Sequence, residues 1–137
     1  MILEERFKNI IFKDDLIAQI YNFNISGNLI FPTPESKEMQ CGFGDVIQEK
    51  EIKPHIHKKV LRNIKNTSEF IYIIEGEMDV YFLDSNGVNI ANEKIVSGQA
   101  FLQFYGGHKI IIKSNTRYFE LKQGPYLGKE LDKNLIK

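Results

Sequence analysis

The chain carries one cysteine, Cys41, so it can form neither an internal disulfide nor a zinc site built from several thiolates. The ordinary state of such a lone thiol is a small buried filler. There is no excess of positive charge: eighteen Lys plus Arg balance eighteen Asp plus Glu, which leaves no field to hold a phosphate backbone. Bulk nucleic-acid binding is therefore not expected. No apolar run approaches membrane-spanning length, and the opening stretch MILEERFKNIIFKDD has neither a basic nor an apolar leader-like region. The expectation is a cytoplasmic protein with no membrane partner. Repeats, low-complexity segments and a proline-rich linker are also missing, so residues 1–137 read as one domain, long enough to bury a core without disulfides. No stretch keeps the period of a long amphipathic helix, and the N-terminal residues predict at most a short one.

What the chain does contain is a succession of short apolar or alternating runs. LIAQIYNF, MQCGFGDVI, FIYIIEGEMDVYFL, VNIANEKIV, AFLQFY, KIIIK and YFELK recur between turn signals. That spacing predicts an all-β sandwich or barrel. DSNG, between Leu83 and Val88, supplies the Asp, Asn and Gly of a tight hairpin turn; Gly98, the pair Gly106 and Gly107, and SNT at 114–116 mark three more.

Histidine is as scarce as proline is scattered, yet two of the three histidines, His55 and His57, stand one residue apart. On a strand they project to one face, close enough for both imidazoles to reach one ion. Glu69 opens the next run, where it shares a face with Ile71 and Ile73. A carboxylate entering an apolar face costs several kcal/mol unless a charge or hydrogen bonds compensate, and a divalent cation would do so. The third histidine, His108, follows Gly106 and Gly107 and opens the run KIIIK.

The HxH pair, Glu69 and Gly76, with six residues between the last two, resemble the first motif of the cupin superfamily; Gly98, the FYGG turn and His108 resemble the second. The resemblance covers about residues 40–122, with extensions on either side. It implies a cupin-type double-stranded β-helix, a jelly-roll barrel, with His55, His57, Glu69 and His108 as ligands of one divalent metal ion: Fe, Mn, Zn or Ni. Glu69 is also the candidate catalytic acid or base. The resemblance further implies a homodimer formed by pairing sheet edges or exchanging terminal strands.

Eleven residues separate His57 from Glu69, more than the family spacing, so 58–68 is expected to be an enlarged loop at the barrel mouth. Lys58, Lys59, Arg62 and Lys65 make it basic, and Arg62 and Lys65 are candidates to clamp a substrate carboxylate or phosphate. Gln40 and Gln103 are candidate hydrogen-bonding groups, and Tyr72 and Tyr105 candidate stacking groups, for a small ligand. Two function classes follow. One is a metal-dependent enzyme of isomerase, epimerase or dioxygenase type acting on a small polar or anionic metabolite, with a sugar or nucleotide-sugar as one such substrate in carbohydrate metabolism. The other is a non-catalytic small-molecule-binding cupin, serving as a sensor or accessory subunit.

Overall fold

The computed structural model describes residues 5–132 and 134. Eight strands follow in order: β1 (Phe7–Phe12), β2 (Asp15–Asn22), β3 (Glu69–Glu75), β4 (Glu77–Leu83), β5 (Asn89–Val96), β6 (Gln99–Gln103), β7 (Gly107–Ile112) and β8 (Arg117–Lys122), with a single-turn helix α1 (Lys129–Asp132) after them. They pair antiparallel into a five-stranded sheet, β1-β2-β6-β3-β8, and a three-stranded sheet, β5-β4-β7. The all-β expectation holds. No helix among the described residues is long and apolar enough to cross a membrane.

Alternation along each strand decides what lies between the sheets. Ile71 and Ile73 of β3, Met78, Val80 and Phe82 of β4 and Phe101 of β6 turn inward and, with Ile17, Ala18 and Ile20 of β2 and Ile95 of β5, make one buried cluster. Each large side chain so buried contributes roughly 1.5–3 kcal/mol. The opposite face of the five-stranded sheet is also covered. Tyr21, Ala100, Leu102 and Phe104 are buried there against Met39, Cys41 and Phe43 from the segment between β2 and β3. All five residues of β6 are consequently buried.

A polar network holds that segment down. Tyr21 donates its hydroxyl to Gln19 Oε1 at 2.8 Å, and Thr33 donates to the same oxygen at 2.9 Å. Gln19 Nε2 donates to Asn9 Oδ1 at 2.9 Å and to the Pro32 carbonyl at 3.0 Å, while the Cys41 amide donates to Thr33 Oγ1 at 3.1 Å. Burial pushes both the Tyr21 hydroxyl and the Cys41 thiol up in pKa. Cys41, expected as a buried filler, is half-buried.

Turns close where the sequence signals them. Asp84 Oδ1 accepts from the amides of Asn86 and Val88, both at 2.9 Å, and Gly87 takes a φ of 84°, which closes the β4–β5 hairpin. Gly98 (φ 81°) turns β5 into β6 and Gly106 (φ 87°) turns β6 into β7.

Three expectations fail locally. FKNIIF is strand β1, not a short helix: Lys13 and Asp14, both with positive φ, fold it back to pair with β2. MQCGFGDVI contributes only an isolated bridge, Phe43 to Ile30, because the stretch covers the sheet face and meets no sheet edge. The stretch around His55 and His57 is not a strand. Residues 44–67 are irregular and exposed throughout; strand form needs a neighbour to pair with, and Pro54 lacks the amide to donate.

Two tests follow. Gln19→Leu strands four polar partners and should cost about 2–4 kcal/mol in urea unfolding, while the apolar cluster between the sheets stays formed. The second concerns Tyr105, whose hydroxyl donates to Asp15 Oδ2, with Lys37 3.5 Å from the same carboxylate. That hydrogen bond, then Lys37, holds Asp15 below its usual 3.8, and burial followed by the Asp15 contact pushes Tyr105 up to about 12. The Asp15 contribution is present above the ordinary carboxylate pKa and is lost as pH falls through the lowered value. The Tyr105 contribution is complete below 10 and is lost as pH rises through about 12. The difference in unfolding midpoint between wild type and Tyr105→Phe should be flat from about pH 5 to 9 and shrink at both extremes, modestly because Asp15 is exposed.

Candidate functional site

At one end of the two sheets lies an open cleft of about 1170 Å³. Glu69 and Thr67 line it from the start of β3, Gln103 from the end of β6, His108 and Lys109 from β7, Glu120 and Lys122 from β8, and the β4–β5 hairpin closes one side. Register explains the grouping. Glu69 stands opposite Gln103 on one flank and opposite Lys122 on the other, so one polar row crosses three strands. In the next inward row Ile71 stands opposite Phe101 on one flank and Glu120 on the other.

His108 reaches this row from the other sheet. It pairs with Phe82 across β4 and β7, and its ring lies 6.2 Å from that of Phe101, edge-on. Gln103 decides its orientation. Gln103 Nε2 donates to the carbonyls of Tyr105 at 3.2 Å and Gly107 at 2.7 Å, so its Oε1 is the acceptor that meets His108 Nδ1 at 2.6 Å. Nδ1 must then carry the hydrogen, and Nε2 is the atom turned toward Glu69, 3.6 Å from Oε2. Gln103 is 3 % exposed, so solvent does not compete for these bonds.

This arrangement has two chemical capacities. An imidazole with Nδ1–H anchored and Nε2 beside a carboxylate can take up or release a proton at Nε2, with Glu69 stabilising the charged form. The 3.6 Å separation is also near what two ligands of one ion span, at about 2.1 Å each. A stable divalent site takes three or four protein ligands, however, and among the described residues no group of three or more His, Cys, Asp or Glu side chains is assembled to hold one.

The remaining sequence candidates scatter. His55 and His57 lie in the exposed 44–67 segment, their rings 5.1 Å apart and His55 Nδ1 2.8 Å from the Lys53 carbonyl. Arg62 and Lys65 are exposed in the same segment, so the expected rim loop does not place them on the cleft lining. Gln40 donates to the carbonyls of Pro34 and Lys37, both at 2.9 Å, on the covering segment. Tyr72 alternates with Ile71 and faces away from the cleft, with its ring 5.6 Å from Phe23 and 5.4 Å from Phe119. Tyr105 is engaged with Asp15. Lys122 and Glu120 went unmarked in the sequence because only the β3–β8 register sets them beside Glu69 and Ile71.

Compared with family models, curated proteins and solved structures, the chain shows no significant match.

The tautomer is directly testable. Imidazole ¹⁵N shifts should show His108 protonated at Nδ1 when neutral, and Gln103→Leu should convert it to a mixture of tautomers without unfolding the sheets. A His108 protonated at Nε2 in the wild type would remove the basis for the site.

Proposed function

We propose that this chain is a small jelly-roll protein of the cupin type that acts on a small polar or anionic metabolite, transferring a proton at the His108 and Glu69 pair in the manner of an isomerase or epimerase. The observation that carries the reading is the Gln103 anchor: it dedicates Nδ1 of His108 to structure and turns Nε2 to Glu69 inside a cleft large enough for a metabolite. Two features support the cupin assignment. From β3 onward the chain passes repeatedly between two antiparallel sheets, ordered β6-β3-β8 and β5-β4-β7 over that part. The acidic residue of the first cupin-like motif and the histidine of the second, far apart in sequence, meet at one mouth.

Within this reading the chain supplies a base and acid at Nε2, and a carboxylate that stabilises the protonated ring. Lys122 adds a cation to the same row for an anionic substrate oxygen. A solvent-exchange assay separates catalysis from simple binding. Candidate metabolites, sugar phosphates and hydroxy acids among them, are incubated with the protein in D₂O. A proton-transfer enzyme should wash deuterium into a carbon position of its ligand, and His108→Asn or Glu69→Gln should slow this by roughly 10²–10⁴. A ligand that binds the wild type but never exchanges makes the protein a sensor or accessory subunit.

A second reading keeps the metal, supported by the 3.6 Å spacing of Glu69 and His108 and the mutual approach of the His55 and His57 rings. It requires residues 53–58 to lie along the cleft, and the edge of β7, paired only with β4 among the described residues, is where a strand would fit. Titration with Zn²⁺, Mn²⁺ and Fe²⁺ discriminates. Stoichiometric binding lost on each of His55→Ala, His57→Ala and His108→Ala and weakened at least tenfold by Glu69→Gln would establish the four-ligand site, and retention in any histidine variant would exclude it.

A further inference from the structure

Every residue from 44 to 67 is exposed and none is in a strand, yet the segment carries Val46, Ile47, Ile52, Ile56, Val60, Leu61 and Ile64. Ile47, Ile56 and Leu61 are 96 %, 94 % and 99 % exposed. A run of large aliphatic side chains left in water marks an interaction surface. The spacing of Ile52, Pro54 and Ile56 against Lys53, His55 and His57 is that of a strand with one apolar and one histidine-bearing face. Asp45 bonds the Gly27 carbonyl through its amide and Ser68 accepts from the Gln123 amide, and from Val46 to Asn66 no backbone–backbone hydrogen bond to the body is found among the described residues.

The body has the complementary defect. Strand β7 pairs with β4 alone among the described residues, and Ile111 and Ile112 on it are 37 % and 47 % exposed. Charges usually guard such an edge. Here Lys109 lies over the Tyr81 ring and Lys113 is paired with Asp79 at 3.0 Å, so both are drawn along the sheet. Charge also complements. Residues 46–66 hold six Lys or Arg and two acidic residues, so the rest of the chain, out of eighteen of each sign, has twelve basic against sixteen acidic.

We infer that the 46–66 segment is an exchange arm that docks as an added strand on the β7 edge of a second copy of this chain, while the second copy's arm docks on the first. Each copy alone leaves one arm and one edge open; reciprocal docking about a twofold axis closes both. The body's net negative charge selects another body of this chain over nucleic acid as the arm's partner. With the histidine face toward the cleft, alternation puts Ile56 on the outer face beside Ile111, since His108 and Ile110 take the inner one. His55 and His57 would then enter the partner's cleft. The inference stands on the arm and the edge whether or not the cleft is catalytic.

The experiment uses the full chain with Cys41→Ser, which removes its one thiol. Ile56→Cys and Ile111→Cys are made separately, mixed and oxidised; exchange predicts a covalent dimer containing one of each, absent when either is oxidised alone under the same conditions. The double variant closing mainly as an internally bridged monomer, with no mixed dimer, would show docking on the arm's own body and overturn the proposal. Sedimentation at micromolar concentration should give a dimer, shifted at least tenfold toward monomer by Ile52→Asp with Ile56→Asp. The arm lies outside the buried clusters, so these variants should keep the body's cooperative unfolding transition, and the far-ultraviolet spectrum should lose only the signal of the docked arm strands. Ile111→Lys should have the same effect from the other side. A wild type that remains monomeric, or that binds an oligonucleotide through the arm as a monomer, overturns the exchange.

Discussion

The structure depends on covering β6 twice. A central strand with apolar residues on both faces is stable only if both faces leave water, and each of its five residues is buried. The three-stranded sheet covers one face with Met78, Val80 and Phe82. On the other face the segment between β2 and β3, rather than a second sheet among the described residues, lies across it. Such a segment brings backbone groups out of water, which is why the Gln19, Tyr21 and Thr33 network sits where it does: it satisfies carbonyls and amides that neither sheet pairs.

The site grows from the end of that same strand. Gln103 closes β6 and, as a buried amide, must find partners for both its nitrogen and its oxygen. The β6–β7 turn accepts from the nitrogen, and His108 takes the oxygen. Packing thereby becomes chemistry: a residue immobilised to satisfy its own burial also fixes which nitrogen of His108 faces Glu69. Glu69 is carried inward by the alternation that buries Ile71 and Ile73, and so stands at the boundary between core and solvent, where a carboxylate keeps some hydration.

Much of this could be read from residues in order. The β3 and β4 runs, the 83–88 turn, the turn at Gly98, the inward Glu69 and the position of His108 at the head of a strand all rest on local alternation and turn chemistry, which the structure reproduces. The errors share a cause. FKNIIF became a strand because Lys13 and Asp14 return it onto β2, and the stretch around His55 stayed irregular because no strand among the described residues pairs with it. Pairing joins distant residues, and no window of sequence contains both partners.

By itself, then, the sequence determined the all-β class, which faces of its strands are apolar, and that Glu69 and His108 would each stand at a strand's beginning, because side-chain period and glycine conformation are properties of neighbouring residues. Only the tertiary structure decided that Gln103 rather than Gln40 serves the site, that Lys122 flanks Glu69, and that Tyr72 turns away from the cleft. It also decided that the two adjacent histidines stand in an exposed arm, apart from the third. These follow from strand register and sheet order, which are set by burial of both faces of β6 and are written in no single segment of the chain.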